Sequence, residues 1–310
     1  MRTAYITHSD FIKHDMGEGH PEGPNRLHAI QDQLKYEQLW DFLEHVNAPT
    51  VDKTALLRVH SQQHIDYIFD NAPQSGQALF QTDPDTFMNE HSLGAALKAA
   101  GACTKAVELI MSKQIDNAFC AVRPPGHHAE RARSMGFCFF NNIAVAAAHA
   151  LEKYKLDRVA IVDFDVHHGN GTEDIFGADD RVLFCSTYEY PLFPFSDHPS
   201  IPGRIINNPL KPGTTGTEFR QVVQQNWLPA LYAFKPQFIF ISAGFDAHME
   251  DPLATLGFRD EDFAWVTQEI MAIARQFSSN RIVSTLEGGY ALKALGRSAT
   301  QHIRALMELS

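Results

Sequence analysis

The chain has 310 residues, of which 44% are hydrophobic and 20% are charged. This composition excludes a disordered chain and is sufficient for one large hydrophobic core or two modest ones. The formal net charge is −11 and no block of lysine or arginine is present, which argues against binding to nucleic acid. An acidic surface weakly favours cationic substrates or partners.

The amino-terminal segment and the cysteines indicate where the protein functions. The opening residues, MRTAYITHSDF, lack the apolar core of a signal peptide, and no apolar run approaches the ~20 residues needed to cross a bilayer. The four cysteines form no CxxC pair and do not suggest a secreted disulfide framework. We therefore expect a cytoplasmic protein without membrane partners, and the oligomeric state is left open.

Short apolar runs rich in β-branched and aromatic residues alternate with helical patterns along the chain. The predicted strands cover 3–7, 117–122, 158–164, 181–187, 237–242 and 281–286. The predicted helices lie near 24–36, 61–70, 90–112, 140–154, 217–233, 260–277 and 291–308. This alternation predicts an α/β fold with a parallel sheet covered on both faces, in a single domain over 1–310.

The segment VDFDVHHGNG (162–171) directly follows a predicted strand, at the end where α/β folds place their sites. Asp163, Asp165 and His167 are two residues apart, so in extended chain they face one side. Their crowded charges need a cation or mutual hydrogen bonds, and Asp/His ligation suits zinc or another first-row metal such as ferrous iron. The alternative is a loop that opens a helix, with Asn170 or Thr172 as the cap.

Three further polar segments also follow predicted strands. In FISAGFDAHMEDPL (240–253), Asp246 either supplies a third metal ligand or is an ordinary turn aspartate. In LEGGYAL (286–292), Tyr290 opens a helix and either donates its hydroxyl at a site or packs. RPPGHHAERARSMGFCFFNN (123–142) places His127 and His128 in a turn. Metal ligands, two histidines that can act as bases, and a phenol that can donate a hydrogen bond are together the set required for metal-assisted hydrolysis of an amide.

These segments together resemble the zinc-dependent histone deacetylase superfamily, which includes acetylpolyamine amidohydrolases. RPPGHHAE, MGFCFFNN, VDFDVHHGNG, SAGFDAH and LEGGY occur in the order that the family has, and HPEGPNR (20–26) resembles its early loop. The resemblance covers roughly residues 2–305. HHAE, Asn170 and SAGFDAH resemble the class II and bacterial branch rather than class I.

The resemblance implies a single arginase-like α/β domain with a mainly parallel, roughly eight-stranded sheet and helices on both faces. It assigns zinc to Asp165, His167 and Asp246, with a fourth position left for water and the substrate carbonyl. It also gives His127 and His128 the general base and acid roles, with His128 as the proton shuttle.

The resemblance assigns supporting roles around the histidine pair. Asp163 would orient His127, and Asn170 would lie beside His128 where class I relatives have an aspartate. The neutral amide should stabilise the His128 imidazolium less than a carboxylate would. Tyr290 would donate to the oxyanion. Some class IIa relatives have histidine at that position and are poor deacetylases.

Substrate contacts are also implied. Gly136 and Phe137 of MGFC match one wall of the acyl-lysine channel, and Phe193 matches the other. FPFSDHPSIPG (193–203) departs from the family's glycine-rich FPGTG pattern, so its effect on the pocket is open. Asp85 resembles the aspartate at the rim that holds the substrate backbone, and Arg26 resembles the arginine of the internal acetate channel.

The family further binds monovalent cations, usually potassium. The inner site would use main-chain oxygens near Asp163, Asp165 and His167, together with Ser186. We expect this potassium ion to be structural.

The substrate is less constrained than the chemistry. One eukaryotic polyamine-specific type has a glutamate seven residues after the last zinc aspartate, where this chain has Leu253. We therefore favour acyl-lysine in proteins or peptides, with an open pocket mouth and an undefined acyl preference. An acetylpolyamine or another small amide is the alternative.

Three other classes fit the sequence less well. A non-catalytic acyl-lysine reader would be expected to have lost His128, Tyr290 or a ligand. An arginase-type hydrolase needs two metals, and His168 and Asn170 do not supply the aspartate-rich set. A purely structural protein has no reason to place polar clusters at strand ends.

Overall fold

The structure, a computed structural model, describes residues 1–196 and 198–309. Its strands are β1 (Thr3–Thr7), β2 (Glu44–Asn47), β3 (Phe80–Asp83), β4 (Thr86–Met88), β5 (Asn117–Cys120), β6 (Val159–Asp163), β7 (Val182–Glu189), β8 (Ile205–Leu210), β9 (Phe238–Ala243) and β10 (Ile282–Leu286). Its α-helices are α1 (Asn25–Tyr36), α2 (Lys53–Leu56), α3 (Gln62–Asp70), α4 (Ser92–Met111), α5 (Asn142–Tyr154), α6 (Asn170–Phe176), α7 (Gly216–Val222), α8 (Leu228–Phe234), α9 (Asp260–Phe277) and α10 (Leu292–Leu306).

Eight strands form one sheet in the order β2-β1-β5-β10-β9-β6-β7-β8, and every neighbouring pair is parallel. The two remaining strands, β3 and β4, pair as an antiparallel hairpin. The central strands β5, β10, β9 and β6 consist of buried residues throughout, as is typical of a parallel sheet covered on both sides. The predicted α/β class and its mainly parallel, eight-stranded sheet are confirmed.

Helices pack on both faces of the sheet. On β5, the ring of Phe119 contacts His302 of α10, with 5.7 Å between ring centroids. The thiol of the next residue, Cys120, contacts that of Cys103 in α4. Since successive side chains of a strand point to opposite faces, α10 and α4 lie on opposite sides of the sheet. Within the described residues, no helix is long and apolar enough to cross a bilayer.

All six predicted strands are present, with ends that differ by at most two residues, whereas two members of the sheet were missed. The edge strand β2 has the sequence EHVN, whose side chains are largely exposed. The other edge strand, β8, has the sequence IINNPL. Neither sequence has the apolar run or the alternation that marks a strand. The hairpin β3–β4 and the short helices α2 and α6 were also missed.

The predicted helix over 217–233 is present but is not α-helical throughout. It consists of α7, a π-helical stretch over Val223–Trp227, and α8. Pro229 occupies the first turn of α8. Proline has no N–H to donate to the carbonyl four residues earlier, so a regular α-helical ladder cannot run through this point. The prediction of a helix here is therefore confirmed, and the π-helical stretch inside it was not predicted.

The order of the strands determines where polar side chains can meet. The segments after β5, β10, β9, β6 and β7 leave five consecutive strands of the sheet at their carboxyl ends. These strands are far apart in sequence but adjacent in space. The histidine pair, the DxDxH segment, Asp246 and Tyr290 all follow one of these strands, so the sheet gathers them at one edge.

Candidate active site

The two histidines after β5 are held by separate partners. His127 Nδ1 lies 2.9 Å from Asp163 Oδ2, and His128 Nδ1 lies 2.7 Å from Asn170 Oδ1. Their ring centroids are 4.0 Å apart, and both side chains are buried. Because each Nδ1 is engaged, Nε2 is the nitrogen of His128 that remains for a molecule in the adjacent cavity.

The surroundings of the two histidine rings shift their pKa values in opposite directions. Burial on its own would lower the pKa of His127, but the carboxylates of Asp165 and Asp163 outweigh it and raise that pKa to about 10. Burial, together with His127 and His167, holds the pKa of His128 well below its usual value. The two rings thus differ in how readily they hold a proton, an arrangement suited to an acid and a base.

The orientation of the Asn170 amide is set by hydrogen bonds on both of its sides. Its Nδ2 donates to Glu130 Oε1 at 2.8 Å, so its Oδ1 is the atom that faces His128. His128 Nδ1 must then carry the hydrogen. Asn170 is the first residue of α6, and no side chain in the described part of the chain caps that helix. The alternative of Asn170 or Thr172 as a helix cap is therefore wrong.

Asn170→Asp is expected to destabilise the protein through Glu130. The substitution replaces the N–H donor with a carboxylate oxygen opposite Glu130 Oε1, and two carboxylates this close cannot both ionise without cost. Losing a hydrogen bond to a charged group predicts a decrease of ~1.5–3 kcal/mol in the free energy of unfolding. The measurement is denaturant unfolding at neutral pH.

Glu130→Gln provides the matched control. Combined with Asn170→Asp in a double variant, it should recover at least half of the lost stability, because the repulsion is removed. Alone, Glu130→Gln should give no measurable increase in the free energy of unfolding. Additive effects of the two substitutions would show that the carboxylates do not face each other.

One His and two Asp side chains converge beside the histidine pair. Ligand atoms of Asp165, His167 and Asp246 all lie within 4.8 Å of one another. His167 Nδ1 is 3.0 Å from Asp165 Oδ1 and 3.2 Å from Asp246 Oδ2. Because β6 and β9 are neighbours in the sheet, residues that follow them meet.

This group has the properties of a metal site. Asp246 Oδ2 is buried without a hydrogen-bond donor of suitable geometry among the described residues. Burial and the Asp165 carboxylate raise the pKa of Asp246 to about 6, so the negative charges are crowded. A Cβ atom at Gly288 would lie 1.9 Å from Asp246 Oδ2, and glycine is therefore required to leave room. A divalent cation would relieve the repulsion and satisfy the open oxygen.

Ser186 lies on β7 directly opposite Asp163 of β6. Its hydroxyl is buried and makes no hydrogen bond within the described part of the chain. A buried oxygen of this kind needs a partner. It therefore fits the predicted inner site for a monovalent cation.

Tyr290 is held by its backbone. Asp251 Oδ2 accepts hydrogen bonds from Tyr290 N at 2.7 Å and from Ala291 N at 3.1 Å. The following helix, α10, begins at Leu292 with Ala291 as its cap, so the prediction that Tyr290 opens the helix was wrong by two residues. Burial raises the pKa of Tyr290 well above its usual value, despite the opposing charge of Arg26. The phenol therefore remains protonated and can donate.

Arg26 is fully buried behind Tyr290. Its guanidinium carbon lies 4.9 Å from the centre of the tyrosine ring, and its Nε donates to Gly289 O at 2.8 Å. Its Nη1 is 3.1 Å from Glu22 Oε1. A second buried arginine, Arg123, binds the same glutamate. This arginine–glutamate–arginine group joins the early loop to the segments that follow β5 and β10. Arg26 was predicted as a site residue, whereas Glu22 and Arg123 were not.

A cavity of about 230 Å³ opens onto these groups. Its lining consists of Asp85, Pro125, His127, His128, Gly136, Phe137, His167, Leu192, Phe193, Leu253, Gly288 and Tyr290. Phe193 meets His128 edge to face at 5.2 Å, and Phe137 meets Tyr290 at 6.1 Å. The aromatic side chains assigned to the channel walls thus lie in one cavity with the histidines. Leu192 was not predicted.

The rim of the cavity is formed by residues from distant loops. His20 packs edge to face on Phe137 with 4.6 Å between centroids, and its Nε2 lies 3.2 Å from Asp85 O. Leu253 is 36% exposed at the same cavity. The early loop therefore contacts two of the residues that line the cavity. Asp197, within FPFSDHPSIPG, lies outside the described residues.

Residues 20–306 match the histone deacetylase domain family. The chain belongs to the histone deacetylase family. It is 35% identical over 304 residues to a probable deacetylase of Archaeoglobus fulgidus, covering 94% of this chain and 82% of that protein. It is 32% identical over 301 residues to the polyamine deacetylase HDAC10 of Danio rerio, covering 92% of this chain but 44% of that one. The crystal structure of the HDA15 HD domain superposes with a TM-score of 0.92 at 33% identity, covering 100% of this chain and 89% of that one.

Membership of the histone deacetylase family supports a deacetylase activity, that is, hydrolysis of an amide. The family is generally zinc-dependent, and the Asp165–His167–Asp246 group is a candidate for the metal. Relatives named for different substrates occur among the matches, so the family alone does not identify the substrate.

Proposed function

We propose that this deacetylase is zinc-dependent and removes acetyl or longer acyl groups from lysine side chains of proteins or peptides. The observation that carries the proposal is the cavity. Phe137, Phe193 and Leu192 give it apolar walls, while His128 and Tyr290 lie in the same lining. A cavity with apolar walls suits the uncharged stem of an acyl-lysine, with the amide beside the polar side chains.

The proposed site uses the chain's own residues for binding and proton transfer. Zinc held by Asp165, His167 and Asp246 would polarise the amide carbonyl and acidify water. Neutral His128 would accept a proton from that water through Nε2 and return it to the leaving amine. His127, held by Asp163 at 2.9 Å, would share the acid and base roles beside the reacting atoms. Tyr290 would donate to the carbonyl oxygen as its negative charge grows.

The supporting assignments extend this proposal. Asp85 would accept hydrogen bonds from the substrate backbone at the rim, and Arg26 would receive the released acetate behind Tyr290. Potassium at the inner site near Ser186 would stabilise the loop that holds Asp165 and His167. Ferrous iron fits the same metal ligands.

An acetylpolyamine is the second candidate substrate, because the Danio rerio relative is named a polyamine deacetylase and the rim of the cavity is acidic. Burial and the neighbouring Asp85 raise the pKa of Asp83 to about 6, so these two carboxylates lie close together. Paired carboxylates would attract a second ammonium group. Leu253, however, lines the same cavity and supplies no charge.

A steady-state panel on zinc-loaded protein distinguishes the two substrates. It compares an acetyl-lysine peptide, longer-acyl peptides and N-acetylputrescine under one condition. We expect kcat/KM for the best peptide to exceed the putrescine value by at least ~10-fold, a difference of about 1.4 kcal/mol. The reverse order would make the protein a polyamine deacetylase. No activity with zinc bound would favour a non-catalytic reader.

Leu253→Glu is the matched variant for this panel. A carboxylate at the rim should raise kcat/KM for N-acetylputrescine by ~3–5-fold, the scale of an exposed ion pair. It should leave a neutral acetyl-lysine peptide nearly unchanged. Equal effects on both substrates would show that position 253 does not face the distal end of the substrate.

A further inference from the structure

Glu287 is a buried carboxylate that the proposed reaction does not use. It follows β10 directly and precedes Gly288 and Gly289. None of its side chain is exposed. Burying an ionisable group is costly unless hydrogen bonds compensate. Its presence in the interior therefore requires an explanation beyond packing.

Within the described residues, the hydrogen bonds to this side chain come from the turn after β5 and from the end of β9, the two strands that flank β10. Oε2 accepts from Gly126 N at 2.7 Å and from His127 N at 3.1 Å. Oε1 accepts from Ser242 Oγ at 3.1 Å. Since β10 lies between β5 and β9 in the sheet, Glu287 bridges the turn after β5 to the end of β9.

The bridge acts on the backbone of the catalytic turn. Gly126 and His127 are consecutive, and a carboxylate oxygen that binds both N–H groups fixes the peptide plane between them. With the backbone fixed, the His127 ring lies against Asp163, with 2.9 Å between His127 Nδ1 and Asp163 Oδ2. His128 follows in the chain and shares ring contact with His127, so its position depends on the same turn.

The backbone of Glu287 is linked to the turn that precedes Tyr290. Its carbonyl accepts a hydrogen bond from the Arg26 guanidinium, which also binds Gly289 O. The side chain therefore holds the histidine turn while the main chain holds the turn that presents Tyr290. A single residue thereby couples the placement of the two catalytic segments.

We propose that Glu287 is a positioning residue for the deacetylase reaction, which holds the backbone of the Gly126–His127 turn and thereby sets the positions of His127 and His128. The inference rests on the proposed function for its kinetic consequence. Its structural consequence, the orientation of the His127 ring, does not depend on the identity of the substrate.

Three substitutions test the inference. Glu287→Ala removes the acceptor, Glu287→Asp withdraws it by one methylene, and Glu287→Gln retains an oxygen for the two N–H groups while its Nε2 faces Ser242. Alanine and aspartate are expected to lower kcat by ~10–100-fold with KM changed by less than ~3-fold, the scale of misplacing a catalytic group by about 1 Å. Glutamine is expected to recover kcat to within ~5-fold of the native enzyme.

The readouts separate positioning from general destabilisation. Metal content and thermal unfolding are measured for every variant. The ¹⁵N–¹H signal of His127 Nδ1–H is recorded as well. It should shift in the alanine and aspartate variants and keep its native position in the glutamine variant. Ser242→Ala removes the third partner but leaves both N–H contacts, so it should retain native kcat.

Several results would overturn the inference. Native kcat in Glu287→Asp, or a glutamine variant as impaired as the alanine variant, would contradict it. An unchanged His127 signal in Glu287→Asp would also contradict it. If the alanine variant does not fold, the aspartate and glutamine variants still decide the question. If the native enzyme hydrolyses no substrate in the panel, the proposed function fails while the His127 signal continues to test the role of Glu287.

Discussion

Asp246→Ala is expected to abolish retention of the metal ion and, with it, amide hydrolysis. The substitution removes one of three ligand atoms that lie within 4.8 Å of one another. Two remaining protein ligands hold zinc far more weakly than three. Activity should fall by more than ~10³-fold, since the metal's electrostatic contribution amounts to several kcal/mol. Metal content after dialysis against a chelator, measured by mass spectrometry, checks the ligand assignment independently of turnover.

The control must separate ligation from folding, because Asp246 also supports the loop after β6. Its Oδ1 accepts a hydrogen bond from Val166 N at 3.0 Å. Asp246→Asn preserves that acceptor and the shape of the side chain but removes its charge. It should fold with native stability and still lose metal to the chelator. Glu250→Gln, an exposed change four residues later in the same loop, should keep its metal. A full complement of metal in Asp246→Ala would contradict the assignment.

The central strands could be predicted because strands that are buried on both faces have continuous apolar sequences. The edge strands could not be predicted, because β2 and β8 each pair with only one strand and contain polar residues. The order of strands in the sheet is also absent from local patterns. That Asp246 would meet Asp165 followed from the resemblance to the deacetylase family, whereas the structure explains it through the pairing of β6 with β9.

Two buried supporting residues, Glu287 and Glu22, were not predicted, whereas the metal ligands and the histidine pair were. Metal ligands and paired histidines have residue types that suggest chemistry on their own. Glu287 and Glu22 are ordinary glutamates in sequence, and only their burial makes them unusual. Glu22 binds Arg123 across 101 residues of chain, a separation over which no periodicity is informative. Their positions within LEGGY and HPEGPNR were the available signal.

Tyr290→Phe is expected to lower kcat by ~10²–10³-fold while metal content stays native. The phenol has no role as a ligand of the Asp165–His167–Asp246 group, and its raised pKa keeps it protonated as a donor. Removing one donor to a developing oxyanion has this magnitude of effect. KM should change little, because the neutral carbonyl of the ground state gains less from the hydrogen bond than the oxyanion does.

The phenylalanine variant is informative because it removes only one oxygen atom. The ring retains its edge-to-face contact with Phe137 and its position beside the Arg26 guanidinium, so the shape of the cavity is preserved. Asp251 binds the backbone of residue 290, and that contact does not depend on the side chain. A fall in kcat with native metal content, stability and KM therefore assigns the loss to the hydroxyl. Native turnover would remove Tyr290 from the reaction and leave oxyanion stabilisation to the metal.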